Sequence, residues 1–302
     1  MLALFGPTGV GKTAVALALA SLLRERGEDP LAIGADALQA YRGLELLTGA
    51  ASADQRGELE HRLVGFRPLT SSFSAGEYAP LAHAEIDAAL EGGRTPIVVG
   101  GTGLYLQAAL RELDLRPPPP PDLRERVAGR IEAEGAAAMH AHLAEQAPAA
   151  AAAIAPTDRS RLIRAHELLA MGERPPAGAS QSRLWSAPLR HPTLLCGLVM
   201  ERAALYERIG ARVDAMLAAG VADEVARADA AGASATARRA LGFAELLAGD
   251  VEAMKRRTRN YAKRQLTWMR RLTEVTPIDA TGREPQALAG EILASAGRRQ
   301  RG

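Results

Sequence analysis

Four apolar residues, Leu2-Ala3-Leu4-Phe5, run directly into Gly6-Pro7-Thr8-Gly9-Val10-Gly11-Lys12-Thr13. The residues after Thr13 are rich in Ala and Leu and free of Gly and Pro as far as Arg26. A buried strand, a glycine loop and a helix in that order, with the spacing G-x-x-x-x-G-K-[ST], make a phosphate-binding loop. The glycines let consecutive backbone N–H groups converge on phosphate oxygens. The helix N-terminus adds a partial positive charge and Lys12 a full one. The Thr13 hydroxyl is placed for Mg2+, the one cofactor expected. Such a loop accepts a di- or triphosphate, ATP included, and leaves open what the phosphates are attached to.

The strand–helix alternation continues. Residues 31–35 and 95–99 read as further strands, 79–91 as a helix, and 193–199 as another sheet strand. Alternation of this kind gives a parallel sheet with helices on both faces, so the expected fold class is α/β, with a P-loop NTPase-like core. The pattern breaks at residues 117–121, five consecutive prolines that read as an extended, semi-rigid linker. From 122 to about 174 the chain is helical in spacing, and prolines recur over 175–192 as a second linker. The expected organisation is a core of 1–116 and 191–302 with a helical insertion over 117–190. Residues beyond about 282 are rich in Gly, Ala and Arg and read as a fraying tail.

Within 302 residues there is a single cysteine, Cys196, which excludes an intrachain disulfide framework and a Cys-rich zinc site. No apolar run reaches the roughly 18–20 residues that span a bilayer, and MLALF reads as a strand rather than a signal peptide. The expectation is a soluble cytoplasmic monomer without a membrane or stable protein partner. The net charge of +2 decides nothing, so the distribution of charge must. Eight of the seventeen residues 255–271, KRRTRNYAKRQLTWMRR, are Lys or Arg and none is acidic. On a helix they occupy an arc of about 200°, with Met254, Tyr261, Ala262, Leu266, Trp268 and Met269 facing the other way. One face then packs on a core and the other presents unopposed positive charge, the footprint of nucleic-acid backbone binding; a merely solvated face is the structural alternative.

Two further features lie at the ends of expected strands. Asp36 follows the second, where ligands bind in open parallel sheets; it can serve as a general base, support a metal, or cap a turn. The strand at Pro96–Val99 runs into Gly100-Gly101-Thr102-Gly103 without the metal-binding acid of a nucleotide hydrolase or kinase. This second glycine turn either contributes N–H groups and the Thr102 hydroxyl to the same phosphates or is only a tight turn.

Taken jointly, these segments resemble the bacterial tRNA dimethylallyltransferase (tRNA isopentenyltransferase, IPP transferase) family. GPTGVGKT matches its phosphate loop, and DALQAYRGLELLTG (36–49) resembles its D-S-x-Q-x-Y-R-G segment. FSAGEY (73–78), GGTGLYL (100–106), RSRLIRAHEL (159–168), RRALGFAEL (238–246) and TRNYAKRQLTWMRR (258–271) follow in the family's order. The resemblance implies transfer of a dimethylallyl group from dimethylallyl diphosphate to N6 of the adenosine 3′ to the tRNA anticodon, adenosine-37. It implies that Asp36 takes the N6 proton, with Lys12, Thr13, Arg161 and Arg164 completing the catalytic set. The loop residues from Gly6 to Thr13 would hold diphosphate, and Gly101, Thr102 and Gly103 would line the prenyl channel. Asp36, Ala37, Leu38 and Gln39 would meet the target base. Thr102, Arg124, Ser160, Arg161, Arg164, Arg239, Gly242, Phe243, Arg259, Lys263 and Arg264 would touch the tRNA anticodon stem-loop. Flipping the target base out of its stack is least costly in a single strand, and a mobile insertion opposite the basic helix could clamp the stem-loop.

The chain departs from the family pattern at Ala37, where Ser is usual, over Leu46–Ala51, where I-G-T-A-K-P is usual, at Glu60 in place of a His, and at Phe243 in place of Tyr. None of these touches Lys12, Thr13 or Asp36. Three rival readings stay in view: prenylation of free adenine nucleotides, a P-loop kinase or NTPase, and a non-catalytic RNA-binding protein.

Overall fold

The computed structural model describes residues 1–299 apart from 117, 179–183, 185 and 186. Its centre is a six-stranded parallel sheet. The strands are β1 (Leu2–Phe5), β2 (Pro30–Gly34), β3 (His61–Arg62), β4 (Thr95–Gly100), β5 (Leu194–Val199) and β6 (Thr276–Asp279), in the order β3-β2-β4-β1-β5-β6. β1 is central, with Phe5 opposite Gly100 on one side and Gly197 on the other. All four residues of β1 are buried, as a strand covered on both faces requires. Pro96 is tolerated in a central strand because it lies one position before the register with β1 begins, at Leu2↔Ile97. Pro277 lies in the edge strand β6. The sequence reading missed β3 and β6, which are short and only partly buried.

On one face, α1 (Lys12–Arg24) packs on α14 (Pro285–Arg299). Leu19 and Leu23 of α1 and Leu288, Ala289, Ile292 and Leu293 of α14 share one buried cluster with the sheet. The expected fraying tail is therefore wrong over 285–299. Its apolar residues recur at helical spacing, and that stripe docks on the core. Elsewhere in this unit, α4 (Ala75–Glu91) packs on α5 (Gly103–Leu110). The start of α4 is set by a capping box in which Ser74 Oγ accepts from Glu77 N and Glu77 reaches back to Ser74 N. After β5 come α10 (Arg202–Ala218), α11 (Val221–Ala230), α12 (Phe243–Leu247) and α13 (Val251–Met269).

The chain divides into two compact units, residues 1–112 with 188–302, and residues 113–187. The sequence reading put the cut at 117 and 190. The return boundary falls earlier because Leu189 bridges Arg111, and Arg190 binds Asp87 and Glu112 of the first unit. The outgoing boundary moves because Arg116 already pairs with Glu173 inside the insertion. Among the described residues the regular elements of the insertion are helices: α6 (Pro121–Glu134), α7 (Ala136–Gln146), α8 (Pro148–Ala153) and α9 (Arg159–Ala170) close over Ile131, Met139, Leu143 and Leu162. Pro121, expected to be linker, is instead the first residue of α6, where a missing N–H costs nothing. The second expected linker, 175–192, falls partly outside the described residues.

Ile292 is fully buried beneath α1 and the sheet. Ile292→Ala should lower unfolding stability by about 2–5 kcal/mol, read from urea denaturation. A loss below about 0.5 kcal/mol would mean that α14 does not dock.

Candidate active site

Parallel strands bring their C-terminal ends to one edge of the sheet. β1 delivers the phosphate loop there, β2 delivers Asp36, and β4 delivers Gly100-Gly101. Gly9 and Gly11 have φ of 84° and 99°, a backbone region that costs other residues strain. They turn the loop into the N-terminus of α1, and Gly11 is the helix N-cap. Lys12 Nζ donates to the carbonyls of Gly6 at 2.9 Å and Pro7 at 3.0 Å. Asp36 is half-buried and accepts from Leu38 N at 3.0 Å, a short local turn that aims the carboxylate.

These residues line a cleft of about 480 Å³ that includes Thr8, Lys12, Thr13, Asp36, Leu38, Gln39, Arg212, Thr258, Tyr261 and Gln265. The structure thus brings together Lys12, Thr13, Asp36 and Gln39, which the sequence singled out. Gln39 Nε2 donates to the carbonyls of Thr48 and Gly49, both at 3.3 Å. Those carbonyls end α2 (Glu45–Thr48), whose first turn is held by the buried Glu224 carboxylate accepting from Leu46 N and Leu47 N.

Arg212 was missed by the sequence reading. It lies one helical turn after Arg208 on α10, and the Arg208 guanidinium sits beside Gly11. Two arginines four apart in a helical stretch were the available signal; their direction was not readable. Burial lowers the Lys12 pKa to about 8, against the pull of Asp36 and with help from the like charge of Arg212. Burial also lowers Arg212, again opposed by Asp36. Tyr261 is pushed up to about 12 by burial and by Asp36, against its hydrogen bond with Thr102, so it remains a hydroxyl donor. Two cations, backbone N–H groups and one carboxylate can hold a diphosphate and take a proton beside it.

The second glycine turn is joined to α13 rather than left free. Gln265 Oε1 accepts from Thr8 N at 2.8 Å, and its Nε2 donates to Gly101 O at 2.8 Å. Thr102 Oγ1 lies 3.3 Å from Tyr261 Oη, and a side chain on Gly103 would run into the Trp268 ring. The signal for Gln265 was a polar residue in phase with the inward positions Met254, Thr258 and Ala262.

α13 spans 251–269, so Arg270 is its C-cap and Arg271 lies beyond it. Arg256, Lys263 and Arg264 are exposed. The expectation of unopposed charge fails at Lys255, which pairs with Asp214 at 2.7 Å, and at Arg257, which pairs with Glu245. Arg259 and Lys263 lie over the Tyr206 ring, 5.7 and 5.9 Å from its centre. Arg239 is exposed. Phe243 is buried under Arg238 and Gly242 packs on Met254, so the Phe243 ring serves the core rather than a ligand.

Arg124, Ser160, Arg161 and Arg164 belong to the insertion. Arg124 and Arg164 converge on the fully buried Glu167, at 3.4 and 3.1 Å. Arg161 pairs with Asp158 at 3.2 Å and is mostly exposed. Among the described residues no helix is long and apolar enough to cross a membrane.

The family model described as IPP transferase matches residues 39–272. The tRNA dimethylallyltransferase of Thermobifida fusca is 37% identical over 96% of this chain and 93% of its own length. That of Rhodospirillum centenum is 42% identical over 88% and 86%. The crystal structure of the full-length tRNA isopentenylpyrophosphate transferase from Bacillus halodurans superposes with a TM-score of 0.70 at 32% identity, covering 99% of this chain and 96% of that one.

The lowered Lys12 pKa gives a pH signature. Below about 8 the ammonium is present and attracts an anion; above it the charge is lost. Affinity for inorganic pyrophosphate, measured calorimetrically without added divalent metal, should therefore fall as pH rises through about 8. Lys12→Met should bind weakly and lose that step. An unchanged step in the variant would assign the titration to another group.

Proposed function

Since the chain belongs to the IPP transferase family, we propose that it transfers the dimethylallyl group of dimethylallyl diphosphate to N6 of the adenosine 3′ to the tRNA anticodon. The observation that carries this reading is the meeting of a phosphate loop and the β2-tip carboxylate of Asp36 in one cleft, walled by the helix that bears the basic stripe.

The reaction breaks the allylic C–O bond, and its electron pair leaves with the diphosphate. The new bond forms from N6 to the allylic carbon, and the N6 proton passes to Asp36. Negative charge grows on the leaving group, so fixed positive groups act where they are worth most. Lys12, Arg212 and the loop N–H groups supply them. Gln39, anchored to the end of α2, orients the base. Gly101, Thr102 and Gly103 would line the channel for the prenyl chain, with Tyr261 beside Thr102. The exposed cations Arg256, Lys263 and Arg264 take RNA phosphates, with Arg239 and the insertion's Arg124, Arg161 and Arg164 as further contacts.

Mg2+ fits the residues present. No group of three His, Cys, Asp or Glu among the described residues could hold a metal alone, and Mg2+ characteristically binds through one or two protein groups plus substrate phosphates. Thr13, which lines the cleft, would hold it, and when bound it supplies further positive charge to the diphosphate oxygens.

Purified protein with Mg2+, dimethylallyl diphosphate and unmodified tRNA should yield N6-(dimethylallyl)adenosine by nucleoside mass spectrometry. Asp36→Ala should keep tRNA affinity while product formation falls by about 10²–10⁴, the range for a lost general base. Prenylation of AMP but not of tRNA, or turnover of ATP with no prenyl transfer, would overturn the proposal.

A further inference from the structure

We infer that Gln265 is a positioning residue that clamps the phosphate loop to the second glycine turn and thereby couples occupancy of the diphosphate cradle to occupancy of the basic helix face. The inference rests on the function proposed above.

Gln265 is 3% exposed. Its carboxamide spans two backbone groups that have no choice of role: Thr8 N–H can only donate and Gly101 C=O can only accept. Their identities fix which end of the amide points where. No other side chain of this reach does both. Glutamate lacks the donor, methionine lacks both groups, and asparagine is one methylene short. The bridged groups follow β1 and β4, which are neighbours in the sheet. The amide therefore sets the spacing of the two loops just beyond the strand tips. Gly101 in turn backs onto Gly6 O and Lys12 Nζ, so a shift at this clamp reaches the lysine directly.

The clamp belongs to α13. The same helix holds Thr102 through Tyr261 and rests Trp268 on Gly103. Its outer side carries Arg256, Lys263 and Arg264, and Arg264 is the immediate chain neighbour of Gln265. A polyanion settling on the outer side loads a helix whose inner side grips both glycine loops. Coupling of this kind is reciprocal: if pyrophosphate changes RNA affinity, RNA changes pyrophosphate affinity by the same factor.

The full-length protein tests this without prenyl transfer. Inorganic pyrophosphate binding is titrated calorimetrically in Mg2+, and tRNA binding is measured by filter retention with and without pyrophosphate. The wild type should show a coupling factor of about five or more. Gln265→Met, close in volume, should weaken pyrophosphate binding about tenfold or more, because two buried backbone groups lose their partner. Its tRNA affinity without pyrophosphate should stay within about twofold and its coupling factor should approach one. Gln265→Glu keeps an acceptor for Thr8 N–H but puts a negative charge beside the anion, and should bind pyrophosphate more weakly still. Were the role packing alone, Gln265→Met would behave as wild type and the two variants would not be ordered by charge; that result overturns the inference. Amide hydrogen exchange on the wild type gives a readout independent of variant folding. The segment containing Thr8 should be protected, and more so with tRNA; no change on adding tRNA also overturns it. Failure of prenyl transfer with these binding results intact would remove the proposed function and leave the clamp standing.

Discussion

Lys12 and Arg212 are drawn out of water around a single partner charge, Asp36, and the cleft is organised by that imbalance. Burial weakens both cations, Lys12 also feels Arg212 as a like charge, and Asp36 opposes the shift of each. Asp36 is the carboxylate that both cations feel, with Glu45 also on the cleft wall, and what a small, multiply charged anion meets there is Lys12, Arg212 and the loop N–H groups together. The same carboxylate raises Tyr261 and keeps it a donor. A neutral amine approaching Asp36 meets a base held by its own turn through Leu38 N, with the anion cradle beside it. Leaving-group stabilisation and proton removal thus come from one arrangement of charge.

The sheet makes that arrangement possible. In the order β2-β4-β1 the strand ends that carry Asp36, Gly100-Gly101 and the phosphate loop are successive neighbours, about 5 Å apart per step. The crossover order separates β1 and β2 by one strand, so the phosphate loop and Asp36 flank the second glycine turn that follows β4. Helices that follow the strands bring α1's N-terminus to the phosphates. α10 and α13 arrive from the last third of the chain to close the wall with Arg212, Tyr261 and Gln265.

Local features were legible in the sequence in proportion to how locally they are determined. Gly9, Gly11, Lys12 and Thr13 announce themselves because a phosphate loop is one continuous segment with obligatory backbone angles. The helical insertion showed in its spacing, and its proline-rich edge was located within a few residues. The end of the poly-proline run was misread because a proline at the first turn of a helix and a proline in a linker look alike in sequence. The C-terminal helix was misread because Gly, Ala and Arg dilute the apolar stripe that Leu288, Ile292 and Leu293 nonetheless form. Arg212 and Gln265 left only weak signals, for a different reason. Their importance comes from pairings across more than 150 residues, and nothing in their own segments states the partner. The ion pairs at Lys255 and Arg257 were hidden likewise, since Asp214 and Glu245 belong to other helices.

The inner face of α13 shows why polar residues sit where apolar ones would pack more tightly. Met254, Ala262 and Met269 alternate there with buried Thr258 and Gln265. Thr258 Oγ1 spends its donor on Met254 O in its own helix, so it is satisfied without reaching out. Gln265 reaches out at both ends. Leucine at that position would fill the space but leave Thr8 N–H and Gly101 C=O unpaired, at about 1–3 kcal/mol for each buried orphan. Two glycine-rich turns have few side chains of their own to hold them, and the N–H of Thr8 and the C=O of Gly101 are the handles that α13 takes through Gln265. An amide from a helix is the smallest device that grips one donor and one acceptor at once. The helix that supplies it is the one whose opposite face is charged, so one element carries both the clamp on the phosphate site and the exposed basic surface.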